Sequence, residues 1–251
     1  MKNIFESGLK LFSGIIYKTI DRYPTFIHIK SIFDDEWYNF IVPIVNSNQL
    51  DWEKVIKIIA SEKKNGVSMS YYVPNKLLTD YQSYFSRNDN NIYTSSDVYI
   101  CKKINEIYCP KGELVLVDDK SLQKNIDMAK ICFPEWTNNE QYSRHMYDYQ
   151  KNKGELIVRN YFLRVDGDDV GFCSCMESQE LNLSYYHAIG VLPEFRRKGY
   201  FTAMIQHLMN ETKKLNIDNV YALVEQDSGS YNGLIKLGYT VQDKYHLFST
   251  N

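Results

Sequence analysis

Apolar residues recur along the chain with two periods, and the change from one to the other marks out the elements. Between residues 4 and 20, Ile4, Phe5, Leu9, Phe12, Ile15, Ile16 and Ile20 are spaced as on one face of an amphipathic helix, with Lys10 and Lys18 interrupting the run. From 25 to 45 the pattern alternates: Thr25-Phe26-Ile27-His28-Ile29 and Phe40-Ile41-Val42 predict strands around the acidic turn Asp34-Asp35-Glu36, and Pro43 marks an edge or an end. Asp51 is the expected N-cap of a helix carrying Trp52, Val55, Ile58 and Ile59, stopped at Asn65-Gly66. A strand at 67–73, a helix at 76–85, a polar loop at 86–91 and a strand at 98–102 complete this half. Cys109-Pro110-Lys111-Gly112 interrupts both periods and a new strand begins at 113–117, so two domains are expected, 1–111 and 112–251.

The second half reads more clearly. Leu122, Ile126 and Ala129 mark a helix, and Thr137-Asn138-Asn139-Glu140 has the form of a capping box ahead of Tyr142, Met146 and Tyr149. Strands at 161–165 and 170–176 flank Asp166-Gly167, where glycine supplies the positive φ of a tight turn. A strand at 183–191 runs through a loop at 192–198 into a helix whose face carries Phe201, Met204, Ile205, Leu208, Thr212 and Leu215. A strand at 220–224, a short helix opened by Asp227-Ser228-Gly229-Ser230 and closed by Gly238, and a strand at 239–248 follow. Strand, helix, helix, three strands, helix, strand, helix, strand is the order of an α/β (α+β) domain.

Composition narrows the function. With 251 residues, 44% of them apolar, the chain can bury at least one sizeable core. Lys plus Arg number 29 against 31 Asp plus Glu, a balance that leaves no field for nonspecific nucleic-acid binding, so any basic site is local. The five cysteines form neither a CxxC pair nor a zinc-ligand spacing, which fits a reduced, cytoplasmic setting and no metal; Cys173 and Cys175 alternate as small core residues. No uninterrupted apolar run reaches the length of a membrane span. The first half holds no chemical motif.

Chemistry concentrates in Ile189-Gly190-Val191-Leu192-Pro193-Glu194-Phe195-Arg196-Arg197-Lys198-Gly199-Tyr200-Phe201-Thr202, where a buried strand passes through a basic, glycine-containing turn into a helix. The first turn of a helix offers unpaired N–H groups and the positive end of the dipole, so an anion is stabilised there, and Gly199 lets a ligand approach the backbone. The turn alone also suits an ordinary basic loop. It is neither GxxxxGK[ST] nor GxGxxG.

In context, these residues resemble the GNAT acetyltransferase superfamily, whose pyrophosphate loop reads [Q/R]-x-x-G-x-[G/A] after an apolar-x-Val-x-Pro strand end. Arg196 to Phe201 match it, except that Phe201 stands where Gly or Ala is usual; either the backbone lies farther from the pyrophosphate or the ring turns into the core. Ser230-Tyr231-Asn232 before Lys236-Leu237-Gly238-Tyr239 is similar to the family's helix and K-L-G-[F/Y] turn. The resemblance covers about 113–248 and implies a mixed central sheet flanked by helices; the first half is then a degenerate GNAT-like copy without a loop of its own.

The resemblance also implies the activity, an acetyl-CoA-dependent N-acetyltransferase acting by direct attack of a primary amine on a small molecule or peptide. A noncatalytic CoA-binding sensor or interaction module is the alternative. Ile189, Gly190 and Val191 are expected to pair with the pantetheine arm, and Arg196, Arg197, Lys198, Gly199, Tyr200, Phe201 and Thr202 to hold the pyrophosphate. Tyr185 stands where some members carry a glutamate base. Alternation puts Tyr185 and His187 on one face with Ile189 and Val191, making His187 the first candidate base and Glu225 the other. Leu234 stands at the family's usual acid, so Tyr231, one turn earlier, is the candidate proton donor to the thiolate.

Overall fold

A computed structural model describes residues 4–86, 91–152 and 154–250. In chain order the elements are α1 (Ile4–Phe12), β1 (Tyr17–Arg22), β2 (Phe26–Ser31), β3 (Phe40–Pro43), α2 (Trp52–Lys64), β4 (Ser70–Pro74), α3 (Leu78–Phe85) and β5 (Asn91–Lys103). There follow β6 (Glu113–Leu116), α4 (Leu122–Cys132), α5 (Asn139–Lys151), β7 (Leu156–Val165), β8 (Asp168–Ser178), β9 (Leu183–Val191), α6 (Tyr200–Lys214), β10 (Asn219–Glu225), α7 (Gly229–Lys236) and β11 (Thr240–Thr250).

The chain forms two compact units, one of Met1–Tyr99, Val224–Asp227 and Val241–Asn251, the other of Ile100–Leu223 and Ser228–Thr240. In the first unit β1–β2 and β2–β3 pair antiparallel, β3–β4 parallel and β4–β11 antiparallel, so the last strand of the chain completes a sheet begun by the first. Phe26, Ile41, Val55, Met69, Tyr71, Val73, Tyr81, Phe85 and Phe248 make a core over which Trp52 and Leu78 also close. Asp51 caps α2 by accepting from the Lys54 N–H at 3.1 Å.

The expected helix over residues 4–20 ends at Phe12. Gly14 takes φ +80° and its N–H donates to the Tyr17 carbonyl, turning the chain so that Tyr17 starts β1, where Ile20 faces Ile29 of β2. The strand ladder supplies hydrogen bonds that a helix through β-branched Ile15-Ile16 would have had to provide against its propensity. Of the polar loop expected at 86–91, residues 87–90 lie outside the described residues, and β5 begins at Asn91, ahead of the strand expected at 98–102.

The second unit orders its strands β10-β9-β8-β7-β6, antiparallel except for β10–β9. Asp166 and Gly167 both adopt positive φ, the two-residue hairpin turn that matches strand twist. α4 and α5 pack on one face, where Met128, Ala129 and Tyr147 meet Val117, Phe162 and Phe172. α6 packs on the other, with the Tyr186 hydroxyl 2.8 Å from Thr212 Oγ1. Buried Glu177 accepts from Thr212 Oγ1 at 2.6 Å and from Arg159 Nε at 3.0 Å, so its charge is paired rather than stranded in the core.

The capping box at α5 does not form. Asn138 is the N-cap but its side chain makes no capping bond, Asn139 Nδ2 donates to the carbonyls of Phe133 and Trp136, and Glu140 is drawn to Lys130 and Arg144. Among the described residues no helix is long and apolar enough to cross a membrane, and no group of three His, Cys, Asp or Glu residues could hold a metal. All five cysteines are free thiols.

Candidate active site

β9 carries the irregularity from which the site is built. Phe172 of β8 faces Gly190 and Ser174 faces His187, so three steps along β9 span two along β8, and Ala188 in the gap adopts φ +47°. This is a bulge, and it reverses the alternation of side chains beyond it. Before the bulge, His187 reaches α5, with Nδ1 2.7 Å from the Tyr142 hydroxyl. Beyond it, a Cβ on Gly190 would lie 2.9 Å from Cβ of Cys132 at the end of α4. His187 and Gly190 therefore share the α4–α5 face, and Ile189 and Val191 point the other way. The expectation that Ile189 and Val191 share a face with Tyr185 and His187 is corrected by the left-handed residue between them.

A second property of β9 concerns its other edge. The parallel ladder with β10 pairs Leu183, Ser184 and Tyr185 with Asn219, Val220 and Tyr221, and stops there. Residues 186–191 thus keep, among the described residues, an edge that β10 does not pair. Such an edge offers N–H and C=O groups to an extended ligand.

The strand then delivers the chain to α6. Leu192 N–H donates to Val170 O, Pro193–Phe195 make a single tight turn, and Arg196 Nε donates back to Val191 O at 3.1 Å. Arg197 takes φ +63° and Gly199, the N-cap, φ +84°, a residue without a side chain where Ser, Thr or Asp would ordinarily cap the helix. Arg196, Arg197, Lys198 and Gly199 are exposed, and Lys198 Nζ lies 5.1 Å from the Phe195 ring. A helix start left uncapped, glycine-lined and ringed by three cations suits a diphosphate.

Phe201 resolves its own alternative. A Cβ on Gly233 of α7 would come 2.9 Å from Phe201 Cε1, so the ring is turned onto α7 in space that only a glycine leaves. Tyr200 and Thr202 are half-buried in the same first turn.

The catalytic candidates stand on three elements, β9, α7 and β10. Tyr185 stacks on His187 with ring centroids 5.3 Å apart, and lies 4.7 Å from Tyr221. His187 is 7% exposed, its Nε2 has no partner among the described residues, and burial drives its pKa down to about 3, so the imidazole is neutral and weakly basic. Tyr231 is half-buried on α7, its N–H held by the N-cap Ser228 Oγ at 3.1 Å. Leu234 is 2% exposed in the core. Glu225, the exposed end of β10, belongs to the first unit.

Two residues escaped the sequence reading. Tyr142 was legible only as a helix-face residue, and nothing local marks it as the partner of a histidine 45 positions later. Asp97, buried beside Glu225, left one signal, the lone acid on β5 just ahead of the apolar Val98-Tyr99-Ile100.

Residues 123–239 match the model of the acetyltransferase (GNAT) family. Among solved structures, a functionally unknown conserved protein from Staphylococcus epidermidis ATCC 12228 aligns over 100% of this chain and 98% of its own, with a TM-score of 0.73 and 14% identity. A GCN5-related N-acetyltransferase from Kribbella flavida aligns over 98% and 94% with a TM-score of 0.69 and 12% identity. Another from Sphaerobacter thermophilus aligns over 97% and 84%, with a TM-score of 0.67 and 12% identity. At these identities the likeness is one of fold, a mixed sheet flanked by helices. No curated protein sequence matches the chain significantly.

Proposed function

From a chain whose residues 123–239 match the acetyltransferase (GNAT) family model, we propose an N-acetyltransferase that takes the acetyl group from acetyl-CoA and transfers it to a primary amine of a small molecule or peptide. The observation that carries this reading is the uncapped start of α6 beside the unpaired stretch of β9, a diphosphate site joined to a strand edge. When bound, the cosubstrate supplies an activated thioester carbonyl.

In this reading the backbone N–H groups from Arg197 to Thr202 and the Arg196 guanidinium hold the pyrophosphate, and the edge formed by Ile189, Gly190 and Val191 takes the extended arm. A backbone N–H aimed at the developing oxyanion stabilises it by about 3 kcal/mol in a dry site. The amine attacks directly, and no residue is acylated. Glu225 accepts the amine's proton in this reading, because His187 is too weak a base once buried. His187 and Tyr185 are then a stacked wall ordered by Tyr142. Tyr231 is the proton donor to the departing thiolate. The five free thiols favour a reducing, cytoplasmic setting.

A noncatalytic CoA-binding module is the second reading, favoured by buried Leu234, which presents no hydroxyl where the family's acid stands. Calorimetry with CoA and thiol release from acetyl-CoA over an amine panel separate the two. Binding with turnover supports the transferase, binding without turnover the module. Arg196→Ala, at an exposed position, is expected to weaken CoA binding about 10- to 100-fold while leaving the melting temperature unchanged. An unaltered affinity would remove the loop from the assignment.

A further inference from the structure

Between α4, α5 and the sheet of the second unit lies a cleft of about 280 Å³, counted to its mouth. Buried Asn160, Phe172 and Ser174 line it from β7 and β8, and half-buried Phe133 and Trp136, from the turn between α4 and α5, are its more exposed walls. None of the lining side chains carries a charge. His187, bonded to the lining Tyr142, is neutral.

Two of the lining residues have an unsatisfied polar atom, and the two atoms are opposite in kind. Asn139, the first residue of α5, is 2% exposed, and its Nδ2 gives both protons away, to Phe133 O at 2.6 Å and Trp136 O at 2.7 Å. Those two bonds fix the orientation of the amide and leave Oδ1 an acceptor without a donor among the described residues. Asn125 of α4 is 5% exposed, and its Nδ2 is a donor without an acceptor among the same residues. The polar groups on the sheet side are already engaged: Ser174 Oγ donates to Asn160 Oδ1 at 2.7 Å, and Asn160 Nδ2 to Gln150 Oε1 at 3.0 Å.

A ligand that relieves both asparagines brings one acceptor and one donor, and it brings them without net charge, because nothing in the cleft would neutralise one. A carboxylate lacks the donor that Asn139 needs, and an ammonium lacks the acceptor that Asn125 needs. A hydroxyl has both functions on a single atom, whereas the asparagines stand on different helices. A carboxamide presents them on two atoms of one planar group, and Phe133, Trp136 and Phe172 offer apolar surface to the rest of the molecule.

We propose that this cleft binds the uncharged carboxamide of a small molecule, Asn125 donating to its oxygen and Asn139 accepting from its nitrogen. The site lies wholly in the second unit and does not rest on the acetyl-transfer reading.

Ligand-observed NMR titration of the full chain with benzamide, benzoate, benzylamine and benzyl alcohol, probes of similar size that differ in the head group, tests it. Benzamide is expected to bind the wild type about tenfold or more tightly than each of the other three. Asn125→Asp, which puts an acceptor where the donor stood, is expected to weaken benzamide about tenfold and to bring benzylammonium ahead of it, an inversion that loss of packing alone would not produce. Should Asn125→Asp fail to fold by circular dichroism, Asn125→Leu is expected to lose the preference for benzamide over benzyl alcohol, and the wild-type order still decides. A wild type that favours benzoate or benzylamine, treats the four alike or binds none of them, as when water alone satisfies the asparagines, would overturn the inference, and so would an Asn125→Asp protein that keeps the original order. Benzamide bound in the expected order by a chain that neither binds CoA nor releases thiol would support the cleft and sink the acetyl-transfer reading.

Discussion

Ala188 holds a left-handed conformation that disfavours any residue with a Cβ, and the direction of every side chain beyond it on β9 depends on that one torsion. Ala188→Gly is expected to be neutral or stabilising by up to about 1 kcal/mol, and Ala188→Val destabilising by more than that, as thermal or urea unfolding will register. Asp97 makes a pH prediction of the opposite kind to a salt-bridged acid. Burial raises its pKa from 3.8 to about 7, so the folded state holds a proton that the unfolded chain has lost. Stability is therefore highest below the unfolded value and falls as pH rises toward 7, by up to about 4 kcal/mol for a shift of this size. Melting curves at pH 5 and 8 should differ clearly less for Asp97→Asn than for the wild type. His187 acts at the acid end. Its pKa is lowered to about 3, so stability is lost as pH falls below the unfolded value near 6.5, and His187→Gln should blunt that loss.

At the scale of elements, the join between α6 and α7 shows how a departure from a family pattern is accommodated. Phe201 occupies a position where a small residue is usual, and Gly233 supplies the missing space. Gly233→Ala is expected to push the ring back toward the loop and weaken CoA binding about tenfold, and Phe201→Ala in the same chain to restore it. A double-mutant cycle read by calorimetry checks this, and additive effects would count against it. The helices and strands of residues 112–251 were legible because period, caps and breakers agree, as at Ser228, Gly238 and the Asp166-Gly167 turn. They were less legible where two local solutions compete. Thr137 to Glu140 has the letters of a capping box, yet Asn139 bonds to the preceding turn and Glu140 is drawn to Lys130 and Arg144.

For the whole molecule, the informative feature is that Val241–Asn251 belongs to the first unit although it follows the second in sequence. β11 pairs with β4 from Tyr245↔Pro74 to Ser249↔Ser70, and Phe248 enters the core with Phe26, Tyr71 and Phe85. A chain ending at Thr240 is therefore expected to lose cooperative unfolding of the first unit, its buried strand edge and core both opened. Circular dichroism and limited proteolysis of the truncated chain would check this; protection of residues 4–86 equal to that in the full chain would contradict it.

By itself the sequence determined what depends on neighbours within a turn or two: the order of elements, the glycines that reverse the chain, and the cationic turn that opens α6, whose anion-binding capacity is a property of any helix start. Only the tertiary structure decided which way Ile189 and Val191 face, where the Phe201 ring goes, that Tyr142 holds His187, and that Asp97 stands beside Glu225. Each of these is a meeting of residues far apart in the chain, governed by register and packing, and a one-residue bulge or a missing Cβ is enough to change the outcome without altering any local pattern.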